Sequence, residues 1–149
     1  MSYQHTQKAP LHLVFYPIVL ATVAFAWLVP TPPPIRLLMV GLGILFLVLA
    51  LMFKHLRIED EGDRLAIRYG PLPGFRKLIR YEDISAVEPG RSSFADGWGI
   101  HYVPGRGWTY NLWGFDCAKL TVNGKIVRAG TDDLANLVEF LRTRIEHQS

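Results

Sequence analysis

The sequence predicts a helical membrane hairpin followed by a mainly-β domain that closes with one helix. Three observations carry this. No Lys, Arg, Asp or Glu occurs from Ala9 to Ile35, or again from Leu37 to Phe53. All 13 acidic residues lie at or beyond Glu59. From Leu56 onward the apolar residues recur at the strand period of two, and from Leu134 onward at the helical period. The 149-residue chain is 50% hydrophobic and 19% charged, with a mean hydropathy of +0.17. These values argue against a disordered chain and against a wholly soluble one. A domain of about 95 residues remains after the apolar segments, enough for a modest core.

The first segment, Leu11–Val29, can span a hydrocarbon core of roughly 30 Å as a helix. Tyr16 and Trp27 stand toward its ends, where amphipathic rings favour the interface. Pro17 is expected to kink it, a defect that membrane helices tolerate. It is too long for a signal-peptide apolar region, no small-x-small cleavage site follows, and a second apolar run comes at once. That second segment, Ile35–Phe53, carries Arg36 in its first turn, where the side chain can snorkel to the headgroups. Thr22 and Ala26, four apart, offer a small-residue seat for a second helix. His12 is expected at the interface.

Pro30, Thr31, Pro32, Pro33 and Pro34 separate the segments. Proline cannot continue a helix, and so short a link cannot recross a bilayer, so the helices form an antiparallel hairpin. Lys8, Lys54, Arg57, Arg64 and Arg68 flank its open ends and only Arg36 its turn. The positive-inside rule then places the N-terminal segment 1–10 and the domain 54–149 in the cytoplasm.

Within the domain, Leu56–Glu59 and Leu65–Tyr69 alternate around the turn Glu61-Gly62-Asp63. Phe75–Tyr81 and Ile84–Glu88 continue the extended pattern, the latter ending before Pro89-Gly90. Gly97–Val103 and Trp108–Leu112 flank Pro104-Gly105-Arg106-Gly107, a hairpin signal. Cys117–Val122 and Lys125–Arg128 flank Asn123-Gly124, whose residues both accept positive φ. The count is about seven strands. Thr131-Asp132-Asp133 supplies N-cap oxygens. Leu134, Leu137, Val138, Leu141 and Ile145 then share a helix face, with Glu139, Arg142 and Glu146 opposite.

The stretches Gly97-Trp98-Gly99-Ile100, Tyr110-Asn111-Leu112-Trp113-Gly114, Ala118-Lys119-Leu120-Thr121 and Gly130-Thr131-Asp132-Asp133 resemble those of bacterial pleckstrin-homology (PH) membrane proteins. The strand-then-helix order is similar as well. The resemblance covers most of residues 56–146. It implies a PH-like barrel of two orthogonally packed antiparallel sheets capped by the C-terminal helix. It transfers no catalytic or ligand-binding residue, and fold alone does not imply function.

Two surfaces are candidates for binding. Arg76, Lys77 and Arg80 follow Gly74-Phe75 and resemble in type the phosphate-gripping cations of lipid-binding PH domains. Near an anionic leaflet each cation gains about 1 kcal/mol; the simpler reading is a solvated strand edge. Trp98, Tyr102, Trp108, Tyr110 and Trp113 form the second group. Trp98, Ile100 and Tyr102 share one strand face, as do Trp108, Tyr110 and Leu112, so two meeting faces would build one aromatic slab. That slab is either sheet core or an exposed partner surface.

Catalytic, metal and cofactor signatures are lacking. Cys117 has no activating neighbour in sequence and reads as a buried strand residue. No GxSxG, HExxH, P-loop or dinucleotide fingerprint occurs, and the cluster Glu59, Asp60, Glu61, Asp63 is turn-like. Beyond Phe53, 14 basic residues oppose 13 acids, which leaves no broad basic face for nucleic acid. The expected role is a non-enzymatic interaction module at the cytoplasmic face of the bacterial inner membrane. Its expected partners are the bilayer and another membrane protein or a second copy. An accessory subunit of a membrane complex and an anionic-lipid sensor are the alternatives.

Overall fold

The computed structural model describes residues 2–93 and 98–147. Strand β1 (Gln4–Lys8) comes first, then a 3-10 turn at Pro10–Val14 and helices α1 (Phe15–Leu28) and α2 (Pro33–Met52). Eight further strands follow: β2 (His55–Asp60), β3 (Arg64–Tyr69), β4 (Arg76–Arg80), β5 (Ile84–Arg91), β6 (Gly99–Val103), β7 (Gly107–Asn111), β8 (Asp116–Val122) and β9 (Lys125–Gly130). Helix α3 (Leu134–Glu146) ends the fold.

The helices differ from the expected spans for reasons that lie in their prolines. Pro10 opens a 3-10 turn, and α1 starts only at Phe15, which puts Pro17 in the first turn where no intrahelical N–H bond is lost. No mid-helix kink is therefore required. Pro33 and Pro34 are not linker but the first residues of α2, a position where a fixed φ is pre-organised for the helix. Residues 29–32 reverse the chain. Phe15, at the start of α1, stacks on Phe46 and meets Phe53 at 5.8 Å, so the two helices run antiparallel. Thr22 and Ala26 are buried in this contact, with Gly43 seated on Thr22.

Helix α2 is long and apolar enough to cross a bilayer, and 11% of its most apolar stretch is buried. The core helix of a soluble protein would be mostly covered. The apolar run His12–Leu28 is shorter. Leu20, Trp27, Leu28, Leu37 and Leu38 all project outward.

Two sheets form the domain, one with strand order β1-β2-β3-β4 and the other β5-β8-β9-β7-β6. Pairing is antiparallel throughout, except that β7 runs parallel to β9. The expected closed barrel is not formed. After β4 the chain leaves the first sheet through a short 3-10 turn at Tyr81–Asp83 and enters the second, and no ladder joins the sheets among the described residues. The N-terminal segment, to which the sequence assigns no strand, contributes β1, which pairs along β2 with His5 opposite Ile58, so the domain draws on both sides of the helical pair.

The hairpin chemistry follows the turn residues. Asn123 and Gly124 have φ of 48° and 75°, which joins β8 to β9 by the primed geometry that matches strand twist. Strand β5 continues through Pro89-Gly90, where an end was expected. It is an edge strand, so the missing N–H of Pro89 breaks no ladder. Gly97, expected to open the strand that is β6 here, lies outside the described residues.

Between the sheets and under α3 lies one core: Leu56, Ile58, Leu65, Ile67 and Tyr69 from one sheet, Leu112, Leu120 and Ala129 from the other, and Leu137 and Leu141 from the helix. Asp133 is the N-cap of α3, but its carboxylate accepts from the Tyr3 hydroxyl and the Asn136 amide, not from a helix N–H. At the other end of the cap, the Asp60 side chain is almost fully covered. It accepts hydrogen bonds from the Gly62 N–H at 2.9 Å, the Tyr81 hydroxyl at 2.8 Å and the Arg144 guanidinium. Arg144 also lies over the rings of Tyr81 and Phe140. These contacts tie α3 to the first sheet.

The helices are fused to the domain without a linker. Gly70, just after β3, has a φ of 55°, and a Cβ there would sit 2.0 Å from the Leu51 carbonyl oxygen. Gly62 has an equally left-handed φ of 89° with open space around it. Alanine is strained at both positions, but only at Gly70 must it also push the end of α2 away. We expect Gly70→Ala to cost about 2–4 kcal/mol more than Gly62→Ala. Thermal unfolding in detergent measures the difference, and equal losses would show that the helix end does not press on β3.

Candidate functional site

The aromatic slab is built by register. In the β6–β7 hairpin Ile100 opposes Tyr110 and Tyr102 opposes Trp108, so their side chains share one face. That face continues the core side of the second sheet, because Trp108 and Tyr110 lie beside Val127 and Ala129 of β9. The first sheet covers only part of it. At β9, Val127 and Ala129 are buried. Toward the β6 edge the face is less covered, and Ile100, Tyr102 and Trp108 are 38%, 57% and 44% exposed. Trp98 and Trp113, stacked at 4.8 Å, are 37% and 39% exposed.

The slab is thus a surface and not sheet core, with one correction. Tyr110, expected among the exposed members, is buried, since it sits at the inward end of β7 against Ala129. Burial raises its hydroxyl pKa. The slab also has a defined orientation. Its Trp98–Trp113 end adjoins the helices: Gly99 packs on the Phe53 ring, and the Trp113 carbonyl accepts from the Gln7 amide at 2.9 Å. Its Tyr102–Trp108 end, near the turn at Pro104–Arg106, borders a recess of about 530 Å³ with Gly124, Lys125 and Ile126.

The structure does not gather the three candidate cations into one group. Lys77 lies opposite Ile67, on the inward side of β4, while Arg76 and Arg80 lie on the outer side. Arg80 is paired with Glu82 at 2.8 Å. Arg76 belongs to a different group. It stands opposite Arg68, which stands opposite Arg57, so three arginines form one transverse row across β4, β3 and β2. His55, two residues from Arg57, shares their face and lines a recess of about 350 Å³ with all three and with Gly70–Pro73. Glu59 reaches Arg57 at 2.7 Å and Arg68 at 3.1 Å, and Glu61 also holds Arg68. The sequence did offer a signal for Arg57 and Arg68: a tight turn at Glu61–Asp63 brings two alternating strands together, and both residues sit at outward positions.

Cys117 is buried in β8. No set of three or more metal-binding side chains converges among the described residues. No protein-family model matches this chain, and no curated protein matches it.

Two groups give the domain a pH dependence with separable steps. His55 has its pKa lowered by burial and by the charges of Lys54, Arg57 and Lys8. Protonation therefore costs more in the folded state, and the stability it contributes is present above about 6.5, the unfolded value, and falls as pH drops from there toward its lower folded pKa. Burial pushes Asp60 upward, but the Gly62 N–H, the Tyr81 hydroxyl and Arg144 outweigh it and leave the pKa lowered. Its contribution is lost further down, below the ordinary carboxylate range. We expect melting temperature in detergent to decline in two stages as pH falls. His55→Gln should remove the upper stage and leave the lower. An unchanged upper stage would place its origin elsewhere.

Proposed function

We propose that this chain is a membrane-anchored, non-enzymatic interaction module of the bacterial inner membrane. In this reading α1 and α2 are a hairpin in the bilayer, both chain ends are cytoplasmic, and the PH-like domain presents the β6–β7 aromatic face to another membrane protein. One observation carries it: a face made of Trp98, Ile100, Tyr102, Trp108 and Trp113 stays partly exposed while starting directly beside Phe53, at the end of the apolar helix. Soluble domains rarely leave such a contiguous apolar face open. Trp and Tyr are the residues that dominate protein interfaces and that also favour the membrane boundary. Tethering raises the effective concentration toward the millimolar range for partners in the same membrane, so a face of this size suffices.

The two ends of the slab then have different roles. Trp98 and Trp113 lie level with the helix ends, in the headgroup region, whereas Tyr102 and Trp108 reach toward the cytoplasm and meet the partner. A photo-crosslinking residue at Tyr102 or Trp108, introduced in living cells, should give a discrete protein adduct, and one at Leu78 on the outer face of the first sheet should not. Loss of the adduct in a chain carrying Trp108→Ala would tie it to the slab. Adducts of equal yield from all three positions would contradict the reading.

Orientation is tested separately. Lys8, Lys54, Arg57 and Arg68 cluster where β1 and β2 meet the helices, against Arg36 alone at the opposite turn. A fluorescent protein fused after the final residue should fluoresce, and alkaline phosphatase at the same place should be inactive. The reverse pattern would invert the topology.

A further inference from the structure

Three arginines face one another across neighbouring strands, and this arrangement needs a reason. Arg57, Arg68 and Arg76 occupy one transverse row of the first sheet, a register in which like charges directly opposite repel. The two carboxylates nearby do not neutralise the row. Glu59 is shared between Arg57 and Arg68, Glu61 pairs with Arg68, and Arg76 has no ion pair among the described residues. Lys54 and Lys8, at the same end as His55, add to the positive field. Between these side chains and the Gly70–Pro73 turn lies a recess of about 350 Å³. It is wide enough for a tetrahedral oxyanion, whose oxygens match the forked donors of guanidinium groups.

We propose that Arg57, Arg68, Arg76 and His55 form a binding site for a phosphate group at the helix-proximal rim of the first sheet. The phosphate is either a free oxyanion or the headgroup of an anionic lipid. Both carry the same chemistry, and the recess lies directly after α2, with Gly70 against Leu51, so that a headgroup would be within reach. Arg76 supplies the uncommitted charge. Arg57 and Arg68 are held in place by Glu59, which keeps their guanidinium groups ordered before the anion arrives. Only the lipid source rests on the membrane reading; the free oxyanion does not.

His55 reports occupancy, because an anion in the recess opposes the cations that disfavour its protonation. The titratable and charged groups that face it are Lys54 and Arg57 on its own stretch of chain, Lys8 on β1, Arg68 on β3 and Arg76 on β4. Glu59 and Glu61 are the carboxylates of the same face. The full chain in neutral maltoside micelles is titrated by NMR, with the His55 resonance assigned against the His55→Gln chain. Inorganic phosphate should raise the His55 pKa by about 0.5–1 unit, a three- to tenfold gain in proton affinity, relative to sodium chloride at the same ionic strength. Arg76→Gln should abolish most of the rise. Arg80→Gln, on the same strand but paired to Glu82 outside the recess, should not.

The second arm uses nanodiscs of phosphatidylcholine with and without phosphatidylglycerol. A rise seen only with phosphatidylglycerol, and dependent on Arg76, identifies the lipid headgroup as the source. A rise already complete with inorganic phosphate in micelles identifies the free oxyanion. No rise in either arm, an equal rise with chloride, or a rise that persists in Arg76→Gln overturns the site. Arg76 is an exposed edge-strand residue, so its substitution leaves the fold intact. Failure here would leave the aromatic-slab reading untouched, since that depends on the other sheet.

Discussion

The junction at residues 51–55 governs the rest of this molecule. Helix α2 runs to Met52, and β2 begins at His55, so no flexible spacer separates the apolar helix from the first sheet. The backbone of Gly70 fits against the Leu51 carbonyl, and Gly99 fits against the Phe53 ring. Each sheet thus meets the helix end at a glycine of positive φ, and at Gly70 a side chain would not fit. A third restraint comes from the other side, where β1 leads through the turn at Pro10–Val14 into α1 while pairing along β2. Two covalent connections and two close backbone contacts fix how the domain sits on its helices.

That constraint explains where the chemically distinctive surfaces lie. The outer face of the first sheet concentrates Arg57, Arg68, Arg76 and His55 at that end, and keeps Glu59 and Glu61 among them for order rather than full neutralisation. On the core-side face of the second sheet, Val127, Ala129 and Tyr110 are buried, whereas Ile100, Tyr102 and Trp108 stay partly exposed. One surface is cationic and the other aromatic, and they belong to different sheets.

Much of this was readable from local chemistry. The apolar runs, the Asn123-Gly124 hairpin, the turn at Gly62 and the face of α3 defined by Leu137, Val138 and Leu141 depend on neighbours within a few residues. What escaped depends on distant ones. Strand β1, QHTQK, has no apolar alternation of its own and becomes a strand only because β2 offers an open edge. The slab was legible as a face but not as exposed, because exposure is decided by how far the first sheet extends. The arginine row was missed because its register passes through the irregular turn of residues 70–75, whose length in space cannot be counted from sequence. Lys77 and Arg80 were grouped with Arg76 by proximity in the chain, although alternation along β4 sends Lys77 inward and Glu82 captures Arg80. The barrel was what the resemblance to PH membrane proteins implied. The turn at Tyr81–Asp83 instead hands the chain from one sheet to the other without a ladder.

The rigid junction is best tested by a distance. Spin labels at Leu37 in α2 and at Glu82 beyond β4, in a Cys117→Ala background and in lipid nanodiscs, report whether helix and domain move as one body. The account predicts a single narrow distance distribution, unchanged by lipid composition and broadened by Gly70→Ala. A broad distribution in the parent chain would mean that the domain swings freely on its helices, and the proposed placement of both surfaces beside a bilayer would fall with it.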